Sequence, residues 1–166
     1  DVSLSGERPA EMPFLPRFGL RLFLPREMAN VDYFGYGPTE SYQDKHHGCW
    51  LGTFETTPEA NHEDYIRPQE NGSHYGTEYV RVAGEDAALT AHAETPFSFN
   101  VSPYTQEELT GKAHNFELER AGDTVLCLDY RMSGLGSNSC GPEMLEKYRF
   151  DEKKFGFRIT LAPEHS

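Results

Sequence analysis

Four histidines in polar stretches of the sequence are the first candidates for metal binding: His46, His47, His62 and His74. A zinc site requires three or four such side chains to converge at about 2 Å from one ion. His46 and His47 cannot readily chelate one ion from a strand, because successive strand side chains face opposite ways. The spacing of the four matches neither a zinc finger nor an HExxH helix. We therefore predict solvated loop histidines and no metal site.

Nucleophilic and phosphate chemistry find less support. Cys49 follows His46 and His47 closely, but a reactive thiolate needs a positioned base and an electropositive pocket. The glycine-rich run 134–141 lacks the Lys-Ser/Thr ending of a phosphate-binding loop. It is better interpreted as a structural connection.

Acidic side chains are the third candidates, because glycosidases act through pairs of carboxylates. A retaining pair must lie about 5 Å apart, with the pKa of one member raised. Five acids fall in the loop-rich first half of the chain: Glu40, Asp44, Glu63, Asp64 and Glu70. Because the chain contains 27 acidic residues, some of them will lie close together by chance. Solubilising surface charge is the favoured interpretation for each.

Two segments, 33–44 and 65–72, combine aromatic residues with polar residues in turn-rich sequence. Aromatic faces can stack on the C–H faces of sugars, while Glu, Asn, Gln and Arg can bind sugar hydroxyls. The same composition suits a dry contact with another domain, so composition leaves both interpretations open.

Charge and length limit the classes of partner. The 166 residues carry 27 acidic and 15 basic side chains, for a formal net charge of -12. This balance argues against nucleic acid and anionic membranes, since binding phosphates requires clustered Lys and Arg. No run of about 20 apolar residues predicts a transmembrane helix. Three cysteines leave an odd thiol rather than a disulfide framework, and we expect a cytoplasmic protein.

Period-two alternation predicts an all-β chain, because aromatics suit half-buried pleated surfaces and Gly and Pro mark turns. Strands are predicted at 18–24, 30–36, 50–55, 77–83, 88–93, 97–101, 116–120, 124–130, 148–150 and 155–161. The fourth predicted strand, 77–83, follows a long surface excursion at 56–76. Thr105 and Glu108 form a capping box that opens one short helix. An antiparallel β-sandwich is the predicted architecture.

With their neighbours, the two aromatic segments resemble the last domain of family 2 β-galactosidases. The motifs that carry the resemblance run in the family's order: PRFGL at 16–20, YGPTESYQD at 36–44, RPQENG at 67–72, FSFN at 97–100, YTQEEL at 104–109 and GLGSNSCGP at 134–142. As a set they are highly specific and cover about residues 14–161.

The resemblance implies the large antiparallel supersandwich shared with galactose mutarotases, of which this chain would be the C-terminal portion. Residues 14–166 would form the sandwich domain, and residues 1–13 a lead-in internal to a longer enzyme. It also implies that the catalytic glutamates lie on a separate (β/α)₈ barrel, which in the family commonly uses Mg and Na. We therefore expect no catalytic residue, cofactor or metal ligand in this segment. The expected partners are the other domains of an oligomeric parent enzyme and a galactoside.

The same resemblance implies that the domain packs beside the barrel and helps to wall the sugar pocket. In some members a Trp near the C-terminus stacks on sugar, and Cys140 stands where some members have Trp. The candidate carbohydrate-binding residues are Tyr36, Glu40, Tyr42, Trp50, Arg67, Glu70, Asn71 and Cys140. An autonomous carbohydrate-binding module, using five of these (Tyr36, Tyr42, Trp50, Glu70 and Asn71), is the alternative, and a purely structural domain is another. Mutarotase-like sugar chemistry is a third possibility, suggested only by the shared fold. It would need an assembled acid–base pair.

Overall fold

The computed structural model describes residues 1–136 and 143–165, and the chain there is nearly all β-structure. Its strands are β1 (Val2–Glu7), β2 (Arg17–Leu24), β3 (Asn30–Gly37), β4 (Trp50–Thr56), β5 (Ser73–Ala83), β6 (Ala87–Ser102), β7 (Thr124–Met132) and β8 (Lys154–His165). The helical elements in this part are α1 (Gln106–Gly111) and 3₁₀ turns at Asn115–Glu117 and Glu146–Tyr148. None of these helices is long and apolar enough to cross a membrane. The all-β prediction is confirmed.

All strand pairs are antiparallel, and the long strand β6 organises them. The sheet runs in the order β1-β8-β6-β5-β3-β4, while β7 pairs with both β6 and β2. The first part of β6 (87–92) pairs with β8, and its last part (98–102) pairs with β7. The sheet therefore branches at β6: one branch contains β8 and β1, and the other contains β7 and β2. Side chains from both branches pack in one core.

The core is built by the alternation that the sequence shows. In β2 the leucines at 20, 22 and 24 are partly buried and pack on the core, while the residues between them are exposed. In β8, Phe155, Phe157 and Ile159 are buried on one face. Cys127 is buried in β7, as expected of a small core residue.

Helix α1 follows its capping signal. Thr105 is the N-cap, and its hydroxyl accepts a hydrogen bond from the backbone N–H of Glu108 at 3.1 Å. This contact satisfies one of the N–H groups that a helix start leaves unpaired.

Two predicted strands are absent, and local hydrogen bonds explain both. Residues 115–117 form a 3₁₀ turn instead of a hairpin strand, because Glu117 Oε2 accepts bonds from the N–H groups of Ala113 and His114. At 148–150 the chain leaves a second 3₁₀ turn, Glu146–Tyr148, and the N–H of Phe150 donates to the Ser133 hydroxyl at 2.9 Å. Phe150 makes only an isolated bridge to Leu15. The separately predicted strands 88–93 and 97–101 are parts of the single strand β6.

Strand β1 was not predicted, and it lies inside the segment interpreted as a lead-in. It pairs along its whole length with β8, from Val2 opposite Ile159 to Glu7 opposite Lys154. Its apolar residues Val2 and Leu4 pack against the core. Its period of two extends over only six residues, most of them small or polar, so the pattern is weak.

Candidate functional site

Two loops that follow consecutive strands bring most of the candidate residues together. Residues 38–49 connect β3 to β4, and residues 57–72 connect β4 to β5. The second loop is not the surface excursion that its polarity predicted, since Pro58, Asn61, Pro68 and Asn71 are buried. Several polar side chains hold the loops to the sheet: Ser41 accepts from the backbone N–H of Tyr75, while Gln43 and Asn61 donate to the carbonyls of Met132 and Val101.

Glu40 joins the two loops and is buried, so its interpretation as solubilising surface charge is wrong. Its Oε1 pairs with Lys45 Nζ and accepts a hydrogen bond from the Tyr65 hydroxyl at 2.6 Å. Its Oε2 accepts from the backbone N–H of Gly72 at 2.8 Å. Burial alone would raise the pKa of Glu40, but these bonds offset it and hold the pKa below its ordinary value.

Arg17 is shared by two carboxylates at the start of β2. Its Nε donates to Asp129 Oδ1 at 3.0 Å, and its NH1 donates to Glu70 Oε2 at 3.0 Å. Burial raises the pKa of both acids, while the guanidinium favours their ionised forms. The cluster ties β2, β7 and the end of the 57–72 loop to one another.

Asparagine amides complete this polar network. Asn71 accepts at Oδ1 from the backbone N–H of Glu63 at 3.0 Å and donates to the carbonyl of Gln69 at 2.9 Å. Asn100 of β6 donates to the carbonyl of Asn71. Asn71 therefore fixes the shape of its own loop.

His74 lies at the centre of the network and is fully buried, so its prediction as a solvated histidine is wrong. Asn61 Nδ2 donates to the carbonyls of Gly72 and Val101, which directs Asn61 Oδ1 towards His74 Nε2 at 2.7 Å. Nε2 therefore carries the proton in the neutral ring, and Nδ1 lies 2.9 Å from the Tyr33 hydroxyl, which can donate to it. Nδ1 also lies 3.0 Å from the carbonyl of Tyr36, a contact that favours the protonated ring and opposes the effect of burial. Burial lowers the pKa of His74 to about 4, so the ring is neutral at pH 7.

A cleft opens beside this network and has a volume of about 430 Å³; it is called the main cleft because two of the candidate residues line it. Its lining comes from the 38–49 loop and from β3, β4, β5, β6 and β7, and includes Tyr36, Tyr42, Tyr75, Glu78, Tyr130 and Arg131. The rings of Tyr36 and Tyr75 stack with centroids 5.9 Å apart. The buried hydroxyl of Tyr42 makes no hydrogen bond to the described residues.

The seven candidate residues within the described part of the chain do not gather at one place. Tyr36 and Tyr42 line the cleft, whereas Glu40, Glu70 and Asn71 belong to the polar network. Trp50 is exposed on β4, and Arg67 is exposed in the second loop. Cys140 lies outside the described residues. No group of three or more His, Cys, Asp or Glu residues within 1–136 and 143–165 is arranged to hold a metal ion.

Several residues that organise the site were not predicted: Arg17, Asn61, Tyr75, Asn100, Asp129 and Tyr130. Arg17 and Asn100 lie within motifs that carry the family resemblance, which was the available signal. Asp129 interrupts the apolar run of β7, and a single acid in such a run indicates a buried partner. Nothing in the sequence pairs it with a cation 112 residues away.

Comparison with known proteins now gives this arrangement a family. The family model for the beta galactosidase small chain matches residues 1–161. The chain belongs to this family. It is 54% identical over 160 residues to a beta-galactosidase of Actinobacillus pleuropneumoniae, and 42% identical over 161 residues to one of Staphylococcus xylosus. A beta-galactosidase of Kluyveromyces lactis is 33% identical over 166 residues.

These relatives are much longer than the chain. The alignments cover 96%, 97% and 98% of this chain but only 16% of each relative. The small-chain family therefore corresponds here to one part of a larger polypeptide in the relatives.

Replacing Arg17 by Met should leave the buried Asp129 and the half-buried Glu70 without their cation. Removing one partner of a buried ion pair costs about 3–5 kcal/mol, so the free energy of unfolding should fall by that order. Urea denaturation of the variant measures the change. Arg21→Met is the matched control, since Arg21 pairs with the exposed Glu107 and its loss should cost about 0–1 kcal/mol. Equal losses in the two variants would contradict the role assigned to Arg17.

Acidification should destabilise the fold through His74. Its pKa is about 4 in the folded chain and 6.5 ordinarily, so the unfolded chain binds the extra proton between these values. Stability is therefore lost as pH falls from 6.5 to 4, by about 3 kcal/mol in total at 1.36 kcal/mol per pKa unit. Denaturation at pH 7 and at pH 4.5 measures this loss.

Carboxylates also titrate below pH 5, so a variant must isolate the histidine. His74→Gln removes the titrating ring and should show a smaller loss between the two pH values. His92→Gln, at an exposed position of β6, should keep the wild-type loss. If His74→Gln retained the full loss, another group would be responsible.

Proposed function

We propose that the chain is the C-terminal domain of a retaining family 2 β-galactosidase and that it carries none of the catalytic carboxylates. The observation that carries this proposal is the family match over residues 1–161 together with coverage of only 16% of the relatives. In the proposed enzyme, two glutamates on a (β/α)₈ barrel hydrolyse terminal β-D-galactose residues by double displacement. This domain, a portion of a supersandwich, packs on that barrel and helps to wall the sugar pocket.

The distribution of carboxylates supports a non-catalytic role. A retaining pair needs two carboxyl groups about 5 Å apart facing the substrate. Among the described residues, Glu78 is the one acid that lines the main cleft. The buried acids Glu40 and Asp129 are already bound by Lys45 and Arg17, respectively.

An exposed apolar pair supports packing against another domain. Ile66 is 78% exposed and Phe116 is 81% exposed. The backbone N–H of Asn115 donates to the carbonyl of Ile66 at 2.9 Å. This bond holds the 3₁₀ turn at Asn115–Glu117 beside the 57–72 loop. Burying such side chains is worth about 1.5–3 kcal/mol each, and this chain does not bury them itself.

Activity should therefore require the complete enzyme polypeptide. We expect that polypeptide to cleave a chromogenic β-galactoside and the 166-residue chain alone to show no cleavage above the uncatalysed rate. Circular dichroism of the chain provides the control that it is folded in the same buffer. Cleavage by the isolated chain would overturn the proposal, because it would require a catalytic pair within these residues.

The parent enzyme is further proposed to be cytoplasmic and oligomeric.

Carbohydrate binding by the isolated domain is a second candidate function, favoured by the main cleft. Its stacked Tyr36 and Tyr75 offer an aromatic platform, and the unpaired hydroxyl of Tyr42 offers a hydrogen bond. Glu70 and Asn71 are excluded from this version of the module, because the polar network already uses them.

Titration of the chain with galactose and lactose tests the second candidate. If the cleft binds sugar, calorimetry should give a saturable signal in the millimolar range, typical of weak small-ligand sites. Tyr75→Ala should remove that signal, while Phe23→Ala, on the distant strand β2, should leave it unchanged. Absence of a saturable signal with wild-type chain leaves the structural role alone.

A further inference from the structure

Three strands of the described sheet have one side without a partner strand. β1, β2 and β4 each pair with a single neighbour, namely β8, β7 and β3. An edge strand presents unpaired N–H and C=O groups, which can accept a further strand. Proteins therefore protect such edges with proline, charge, short length or a covering element, and the three edges differ in this protection.

Edge strand β2 is protected. Pro16 and Pro25 bracket it, and proline cannot donate to a sheet ladder. Arg21 reaches from it to Gln106 and Glu107 of helix α1, at 2.9 Å and 2.7 Å. The same Arg21 lies over the ring of Phe23, 5.4 Å from its centroid.

Edge strand β1 is short and polar on its exposed face. It has six residues, and the exposed ones are Ser3, Ser5 and Glu7. Such an edge offers little apolar area to an added strand.

Edge strand β4 is the least protected of the three. Its seven residues, WLGTFET, contain no proline and no cation, and Glu55 is the one charge. Trp50 is 59% exposed and Leu51 is 48% exposed, on opposite faces of the strand. Trp50 rests on Phe54 with ring centroids 5.7 Å apart, so the exposed ring extends the core face. Leu51 lies opposite Tyr36 and lines the main cleft.

We propose that β4 pairs in the complete enzyme with a strand from the part of the polypeptide that is absent from this chain. The inference rests on the proposed function, since the chain spans 16% of its relatives and most of the polypeptide lies outside it. A strand beside β4 would satisfy its unpaired backbone N–H and C=O groups. It would cover Trp50 on one face of the sheet and Leu51 on the other. It would also build a wall of the main cleft at Leu51.

The charge of the chain favours this occupant over a second copy. Two copies paired edge to edge would each carry a net charge of -12, and like charge opposes association. A segment of the same polypeptide is held nearby by its covalent link, which gives it a high effective concentration.

Hydrogen exchange on the 166-residue chain and on the complete enzyme polypeptide tests the pairing. In the chain alone, alternate amides of β4 should exchange quickly, because they face the open edge. In the complete polypeptide we expect those amides to exchange about 100-fold more slowly, as in a central strand. The amides of β2 serve as the internal control and should change by less than about threefold. Equal exchange of β4 in both proteins would overturn the inference.

A pair of variants supplies a second measurement. Trp50→Ala should leave the melting temperature of the chain alone nearly unchanged, because the ring is exposed there. In the complete polypeptide, the same change should lower the melting temperature and speed the exchange of β4. Phe23→Ala removes a 52% exposed ring from the protected edge and should behave alike in both proteins. If Trp50→Ala also behaved alike in both, the inference would fail.

Failure of this inference can be distinguished from failure of the proposed function. An active complete polypeptide with an unprotected β4 would contradict the strand pairing and leave the β-galactosidase proposal intact. A protected β4 in a polypeptide that cleaves no β-galactoside would support the strand pairing and contradict the β-galactosidase proposal. Protection that rises with the concentration of the isolated chain would identify a second copy as the occupant and overturn the inference.

Discussion

The site depends on one partly buried cation that two acids share. Arg17 stands at the first residue of β2, Asp129 lies in β7, and Glu70 lies near the end of the loop that leads into β5. Neither acid could remain ionised at low exposure without the guanidinium, and the guanidinium could not be buried without them. The position of the second loop relative to β2 and β7 follows from satisfying these three charges together.

The polar residues that suggested sugar binding perform an internal task. Glu40 accepts bonds from Lys45, Tyr65 and the backbone of Gly72, and thereby fixes two loops that otherwise have no regular structure. Irregular backbone near a core must find partners for its N–H and C=O groups, and carboxylates and amides provide them. Sequence composition that suits a hydroxyl-rich ligand also suits a hydroxyl- and amide-rich loop. Composition therefore could not separate the two uses of Glu40 and Asn71.

The sequence predicted what is local and missed what is distant. Alternation located most of the strands within one or two residues at their better-defined ends, and a hydroxyl with a glutamate three residues on located α1. The turn at Asn115–Glu117 alternates like a strand, but Glu117 bonds to nearby N–H groups and ends the extended chain. Arg17 and Asp129 are 112 residues apart, and the burial of His74 follows from Asn61 and Tyr33 on other elements. No local pattern encodes such meetings, so the core strands were predictable and the site was largely not.

Polar and apolar groups of this chain are satisfied to different degrees, and the difference bears on its proposed packing against other domains. Among the described residues, two buried side-chain polar atoms lack a hydrogen-bond partner, so the polar network is almost complete within the chain. The large side chains of Trp50, Ile66 and Phe116 remain exposed. Each unpaired buried polar group would destabilise the fold by about 1–3 kcal/mol, whereas exposed apolar groups leave surface that another domain can cover. A domain of a larger polypeptide should divide its interactions in this way, with hydrogen bonds closed internally and apolar area left for its neighbours.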